Sequence, residues 1–312
     1  MTSIPIAQIA QETRAACQAA FDSAPLRAIA RIAGDTTGIV EQVKHSGPLP
    51  QAWQELVQRA QAQGGADAPI PDVPLNVARY LLLEKILNFS LDRVPSLPLP
   101  PDVVRYLYDD YRFVAEPERI SLDCFESNSY PLSALCREAC FDRFPAGQVH
   151  FEETGFPRSW FLKLPRREVC STAWHILVRM GGFKPYYSSH NAHRKKFSAM
   201  FLEKEQRRSM VRIAEMLELH PHILGFMGSG WLHSPNLGVA SPHLKWMVEI
   251  NRELVALGAV YTTLGPAPEG SGFLVGDKRR IALYQAGEWK PMDGLLLAPR
   301  ASLIQWARTQ KL

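Results

Sequence analysis

The sequence lacks most of the signatures that would assign it at once. Its five cysteines, Cys17, Cys124, Cys136, Cys140 and Cys170, are odd in number and contain no CxxC pair. Cys136 and Cys140 are spaced for one helix face rather than for a zinc knuckle. Reduced thiols, and hence a cytoplasmic location, are the simplest reading. No apolar run approaches the ~18 residues of a membrane span. The first residues show no basic segment leading into an apolar core, so no signal peptide is expected. There is no GxSxG elbow, no P-loop, no dinucleotide fingerprint and no HExxH. The charge excess is only +4. That is too little for a chain that coats nucleic acid, so nucleic acid is not an expected partner, and the lack of an apolar span leaves membrane out of the expected partners as well.

What is present suits a folded chain. Its 312 residues are 46% hydrophobic and 21% charged, enough for one large core or two ordinary ones. Up to about residue 115 the pattern is helical. Ile6, Ile9, Ala10, Thr13, Ala16, Cys17 and Ala20 recur at helical steps over 6–22. Further helices are expected at 26–33, 51–63, 75–91 (core positions Val77, Tyr80, Leu81, Ile86 and Leu87) and 102–113, the last opened by Pro101.

The character then changes. Strands are expected at 120–125, 148–151, 159–164, 183–188, 223–231, 259–264 and 294–297. Helices are expected at 171–180, 203–219, 241–257, 278–285 and 301–309. Met210, Ile213, Ala214, Met216 and Leu217 form the core stripe of the 203–219 helix. Gly181-Gly182 and Gly258 act as stops. The alternation predicts an α/β (or α+β) chain, with a helical region over 1–115 and an α/β catalytic region over 116–312.

Chemistry-bearing residues gather in the second region. The densest segment runs from Lys184 to Lys196 and includes His190, His193, Arg194 and Lys195. Its cations suit a phosphate or carboxylate, and equally a solvated basic surface. Nine histidines occur, eight of them between 150 and 243. His150 and Glu152 form HxE, which places both on one face of a strand and makes them the metal candidates. Glu152 or Glu153 is also a candidate general base. Arg158 and Trp160 follow, in a stretch that reads equally as a turn. Gly265–Gly272 reads as a lid or as a plain surface connection.

The last ninety residues also carry a recognisable order. Ile223–Trp231 reads as a strand. Leu237-Gly238-Val239-Ala240-Ser241-Pro242 leads into a helix ending at Leu257, and a strand Val260–Leu264 follows. Ile281-Ala282-Leu283-Tyr284-Gln285-Ala286-Gly287-Glu288-Trp289 and a final strand close the series. This order resembles the central and terminal parts of GNAT-type N-acyltransferases. The resemblance implies acyl transfer to an amine of a small metabolite, in a biosynthetic setting, from acyl-CoA or an acyl-carrier-protein thioester as co-substrate, with no tightly bound cofactor. It implies a splayed pair of parallel strands, expected here at the Ile223 and Val260 segments. It makes Tyr284 the candidate acid for the departing thiolate. Glu152, Glu153 or His243 would take the amine proton. Trp160, Arg158, His190, His193, Arg194, Lys195, Trp231 and Ser241 would bind substrate or thioester. The family's phosphate loop, Q/R-x-x-G-x-G/A, falls on Ser241–Trp246. That stretch has no glycine, and Pro242 removes a donor. Two other readings stand beside this one: a nonhaem metal-dependent oxygenase using His150, Glu152 and a further histidine, and a non-catalytic ligand- or partner-binding protein. The sequence is silent on oligomeric state.

Overall fold

The computed structural model describes residues 4–36, 38–44, 49–63, 70–116, 130–191, 202–268 and 277–310. It is an α/β protein with a helical N-terminal region and a mixed six-stranded sheet. By packing it divides into two compact units, Met1–Phe144 and Pro145–Leu312. No helix among the described residues is long and apolar enough to cross a membrane.

The first unit is built from α1 (Ile6–Phe21), α2 (Ala24–Ala33), α3 (Ile39–Val43), α4 (Gln51–Gln63), α5 (Val73–Lys85), α6 (Pro101–Ala115) and α7 (Tyr130–Ala139). α5 runs on through a π-turn, Ile86–Ser90. The expected core positions Val77, Tyr80, Leu81, Ile86 and Leu87 are all buried. They join Leu26, Ile29, Leu56 and Leu107 in one apolar cluster, to which α7 adds Leu132, Leu135, Cys136 and Ala139. The helical packing thus extends past residue 115. The strand expected at 120–125, with Cys124, lies outside the described residues.

The sheet has six strands, the last five of them in the second unit. Its strands are β1 (Arg143–Pro145), β2 (Val149–Thr154), β3 (Tyr186–Asn191), β4 (Gly225–Gly230), β5 (Val260–Pro266) and β6 (Met292–Pro299), in the order β1-β2-β3-β4-β6-β5. The second unit's helices are α8 (Arg166–Trp174, extended by a π-turn His175–Arg179), α9 (Glu203–Leu219), α10 (Lys245–Ala256), α11 (Lys278–Gln285) and α12 (Arg300–Thr309). β6 is paired on both sides, with β4 and with the edge strand β5. Leu295, Leu296 and Leu297 are fully buried, each stabilising the unit by about 1.5–3 kcal/mol.

Two expectations are corrected. Residues 159–164 alternate like a strand, but Arg158–Leu162 form a 3-10 turn. Pro157 and Pro165 bracket the stretch, and proline supplies no ladder donor. The parallel pair does not join the Ile223 and Val260 segments. β5 pairs antiparallel with β6, and the parallel pair is β3 with β4. The crossover between them is the 17-residue helix α9, the connection that a parallel pair requires.

Register fixes the faces, since side chains alternate along each strand. One face carries Glu152, Ser188, Met227, Leu297 and Val260 in one row, and His150, His190, Ser229, Leu295 and Thr262 in the next. α8, its π-turn and the 158–162 turn cover this face, packing Ile176, Met180, Phe161 and Trp160 against Met227, Leu295 and Leu297. The other face carries Phe151, Tyr187, Phe226, Gly228, Leu296 and Tyr261.

Candidate active site

The site begins with how β3 and β4 meet. Their ladder consists of two pairs, Tyr187↔Phe226 and Ser188↔Met227. Both strands run on, β3 to Asn191 and β4 to Gly230. β3 stays paired with β2 as far as Val149↔Asn191, and β4 with β6 as far as Gly230↔Gly294. No pair between β3 and β4 is recorded beyond Ser188 and Met227 among the described residues. The sheet is therefore forked at its centre.

The rows change chemistry at this fork. The row at its base, apart from Glu152 and Ser188, is apolar: Met227, Leu297 and Val260. The row above it sets His190 on one arm and Ser229 on the other, with Thr262 two strands on. His190 Nε2 lies 3.2 Å from Glu152 Oε1. The carboxylate side chain is 12% exposed and the imidazole 31%, so glutamate stands behind histidine. A carboxylate this close to an imidazole can favour one orientation of the ring. His150 and Glu152 share a strand face, as the HxE step predicts. Among the described residues, however, His150, Glu152 and His190 do not bring three ligand atoms within 4.8 Å of one another.

On the opposite face, Gly228 and Gly294 make room for a 3-10 turn, Trp231–His233. A Cβ on Gly228 would lie 2.5 Å from His233 Cε1, and one on Gly294 would collide with the His233 carbonyl. Burial pushes His233 down to about 4, against a hydrogen bond with Asn251 that favours the charged form. It is thus neutral at ordinary pH.

The remaining candidates are spread out. Tyr284 lies near the end of α11, half-buried, and packs with Tyr261 against the Trp231–Trp289 apolar cluster. Tyr261 belongs to the face opposite Glu152, so these two are not brought together. Glu153 points to that opposite face and is exposed, 3.9 Å from His222. His243 is exposed on a 3-10 turn. Ser241 is fully buried, its Oγ 3.5 Å from Asp277. Trp231 is buried under the Arg280 guanidinium, 4.6 Å from its ring centre. Trp160 packs edge-on against Phe156, and exposed Arg158 lies over Phe183. His193, Arg194, Lys195 and Lys196 lie outside the described residues, as do Glu269–Gly272 of the expected lid.

No family model matches the chain, and no curated protein matches it significantly. Among solved structures, an acyltransferase in complex with CoA and 10C-teicoplanin is similar over 88% of this chain and 99% of its own, with a TM-score of 0.44 and 12% identity. An acyltransferase in complex with decanoyl-CoA and teicoplanin matches over the same shares, with a TM-score of 0.40 and 12% identity. A mutant acyltransferase bound to octanoyl-CoA covers 89% of this chain and 100% of its own, with a TM-score of 0.39 and 13% identity.

Several residues at the fork escaped sequence reasoning. Ser229 is an unremarkable serine until register places it, and Ser188 is one hydroxyl of the dense 184–196 segment with nothing to single it out before register does. Buried His175 also escaped notice. Burial lowers its pKa, against a hydrogen bond with the Leu297 backbone that favours the charged form, and Arg179 nearby lowers it further. Asp277 did carry a signal. It caps α11 by accepting from the Arg279 and Arg280 amides, as an aspartate before a helix start does.

Proposed function

We propose that the Pro145–Leu312 unit transfers an acyl group from a thioester, borne by CoA or by a carrier protein, to an amine of a small metabolite, in the manner of GNAT-type N-acyltransferases. The fork between β3 and β4 carries this reading. Each arm is laddered on its outer side only. The facing edges therefore hold backbone N–H and C=O groups with no strand between them. An extended, amide-bearing thioester arm suits such edges as an inserted strand. A backbone N–H at the same edge suits the negative charge that develops on the thioester oxygen.

Glu152 orients the His190 imidazole, and the imidazole takes the proton as the amine nitrogen attacks the thioester carbon. A C–N bond forms, the C–S bond breaks, and the sulfur leaves as a thiolate that takes its proton from water. Tyr284, on the other face, is not needed for this step. In the sequence, His193, Arg194, Lys195 and Lys196 directly follow β3, and their charge suits the phosphates of CoA.

The test is thiol release from acyl-CoAs of increasing chain length across a panel of primary amines, with the product identified by mass. The reading expects thiol and N-acyl product in equal amounts, stabilisation of the protein by CoA, and near-normal turnover in Tyr284→Phe. Absence of both thiol release and CoA stabilisation would overturn it.

A further inference from the structure

The α8 helix and its π-turn pack Ile176 and Met180 against the sheet, yet they also carry large apolar side chains on the outward side. Trp174, Leu177 and Val178 are 53%, 56% and 61% exposed. Thr172 and His175 face inward and are buried, beside Ile176. The three outward residues fall at i, i+3 and i+4, so they form one ridge. A helix normally hides such a stripe, and an exposed apolar ridge marks a contact surface.

Charge says what the surface meets. Residues 158–180 contain Arg158, Lys163, Arg166, Arg167 and Arg179, with Glu168 as the single acid. Glu168 lies 3.6 Å from Arg167. Arg166 and Arg167 stand exposed at one end of the ridge. At the other end the Arg179 guanidinium lies 5.7 Å from the Trp174 ring centre. A second copy stacked two-fold on this ridge would set Arg179 against Arg166 and Arg167, which is repulsive. The partner is therefore anionic. A protein partner needs about 800 Å² from each side, whereas three side chains on a convex ridge supply apolar area on the order of a few hundred Å². A lipid interface asks for no matching groove: tryptophan and leucine enter it, and arginines stay at the headgroups.

We propose that the outward face of α8 and its π-turn docks the protein on an anionic lipid surface. This stands apart from the acyl-transfer reading. The test is flotation of the full chain with vesicles of phosphatidylcholine alone and of phosphatidylcholine with equimolar phosphatidylglycerol. Binding is expected to the anionic vesicles only, and to fall as salt rises. The double substitution Trp174→Ser with Leu177→Ser should reduce partitioning about tenfold or more. Arg166→Gln and Arg167→Gln should each reduce it roughly fivefold. Val239→Ser, at an exposed valine elsewhere, should change nothing. Thermal unfolding of each variant checks that its fold is intact, and the salt response of the unaltered chain needs no variant. The proposal is overturned if the unaltered chain stays off anionic vesicles, if it binds both vesicle types equally, or if the double variant binds as well as the parent. Self-association abolished by that double variant, or binding to an acidic protein without vesicle binding, would also overturn it by assigning the face elsewhere.

Discussion

The two units treat their buried polar groups differently. In the helical unit, arginines tie off the carbonyl ends of neighbouring helices. Arg79 donates to the Val114 and Ala115 carbonyls at the end of α6. Arg59 does so at Ile32 and Ala33 of α2, and Arg137 at Lys44 just past α3. Each supplies a donor to carbonyls that a helix end leaves unmatched. In the sheet unit Arg300 does the same at Leu217 and Glu218 of α9. That unit also keeps buried polar atoms on its sheet and under α8 with no hydrogen-bond partner among the described residues: Thr262 Oγ1, Asp293 Oδ1 and His175 Nε2. Such atoms cost stability.

That contrast breaks at defined points. The largest effect is expected at the fork. Glu152→Gln and His190→Ala should each lower kcat for thioester-to-amine transfer by about 100-fold or more, with little change in melting temperature, measured on the same preparations.

Next comes Gly294→Ala. Its Cβ would collide with the His233 carbonyl, and a loss of roughly 3 kcal/mol or more is expected by denaturant unfolding.

Acid should separate the two units. His233 is held near 4 by burial, below its ordinary 6.5. Its contribution is complete above pH 6.5 and is lost as pH falls toward 4, amounting to roughly 3 kcal/mol. Burial raises the Glu41 carboxyl, but hydrogen bonds from Lys44, Lys85 and Cys140 outweigh it and bring the group down to about 2 from 4.5. Its contribution survives to pH 4.5 and is lost only below. Unfolding followed from pH 7 to 3 should thus weaken the sheet unit first, and His233→Gln should remove that early step. Coincident loss of both units in the parent would sink the assignment.

Smaller again is Arg79→Met. It should cost the helical unit about 1.5–3 kcal/mol through the α6 carbonyls it leaves unmatched, with transfer activity unchanged.

Helices were largely legible in the sequence because their evidence is local. The stripe Met210, Ile213, Ala214, Met216 and Leu217 predicts α9, and all five are buried. Short α3 and α7 gave weaker patterns and were not foreseen. Pairing was less legible because it is not local. Nothing within 223–231 says whether its parallel neighbour is the 186 or the 260 segment, and that choice decides where the fork lies. Period two alone misled at Ser159–Leu164, where alternation met flanking prolines. Glu152 was readable as a candidate from HxE. That His190 would be its partner followed only from register, and that Tyr284 would pack in the same cluster as Tyr261 followed only from tertiary packing.

The two-pair seam between β3 and β4 has a consequence for motion. It makes the sheet two three-stranded leaves, β1-β2-β3 and β4-β6-β5, joined along a short spine. Amides deep in β6, laddered on both sides, belong to the slowest class of hydrogen exchange, whereas those on the inner edges of the arms face no strand. Deuterium would enter the unit through the middle of its sheet, and a ligand seated there would close that notch from within.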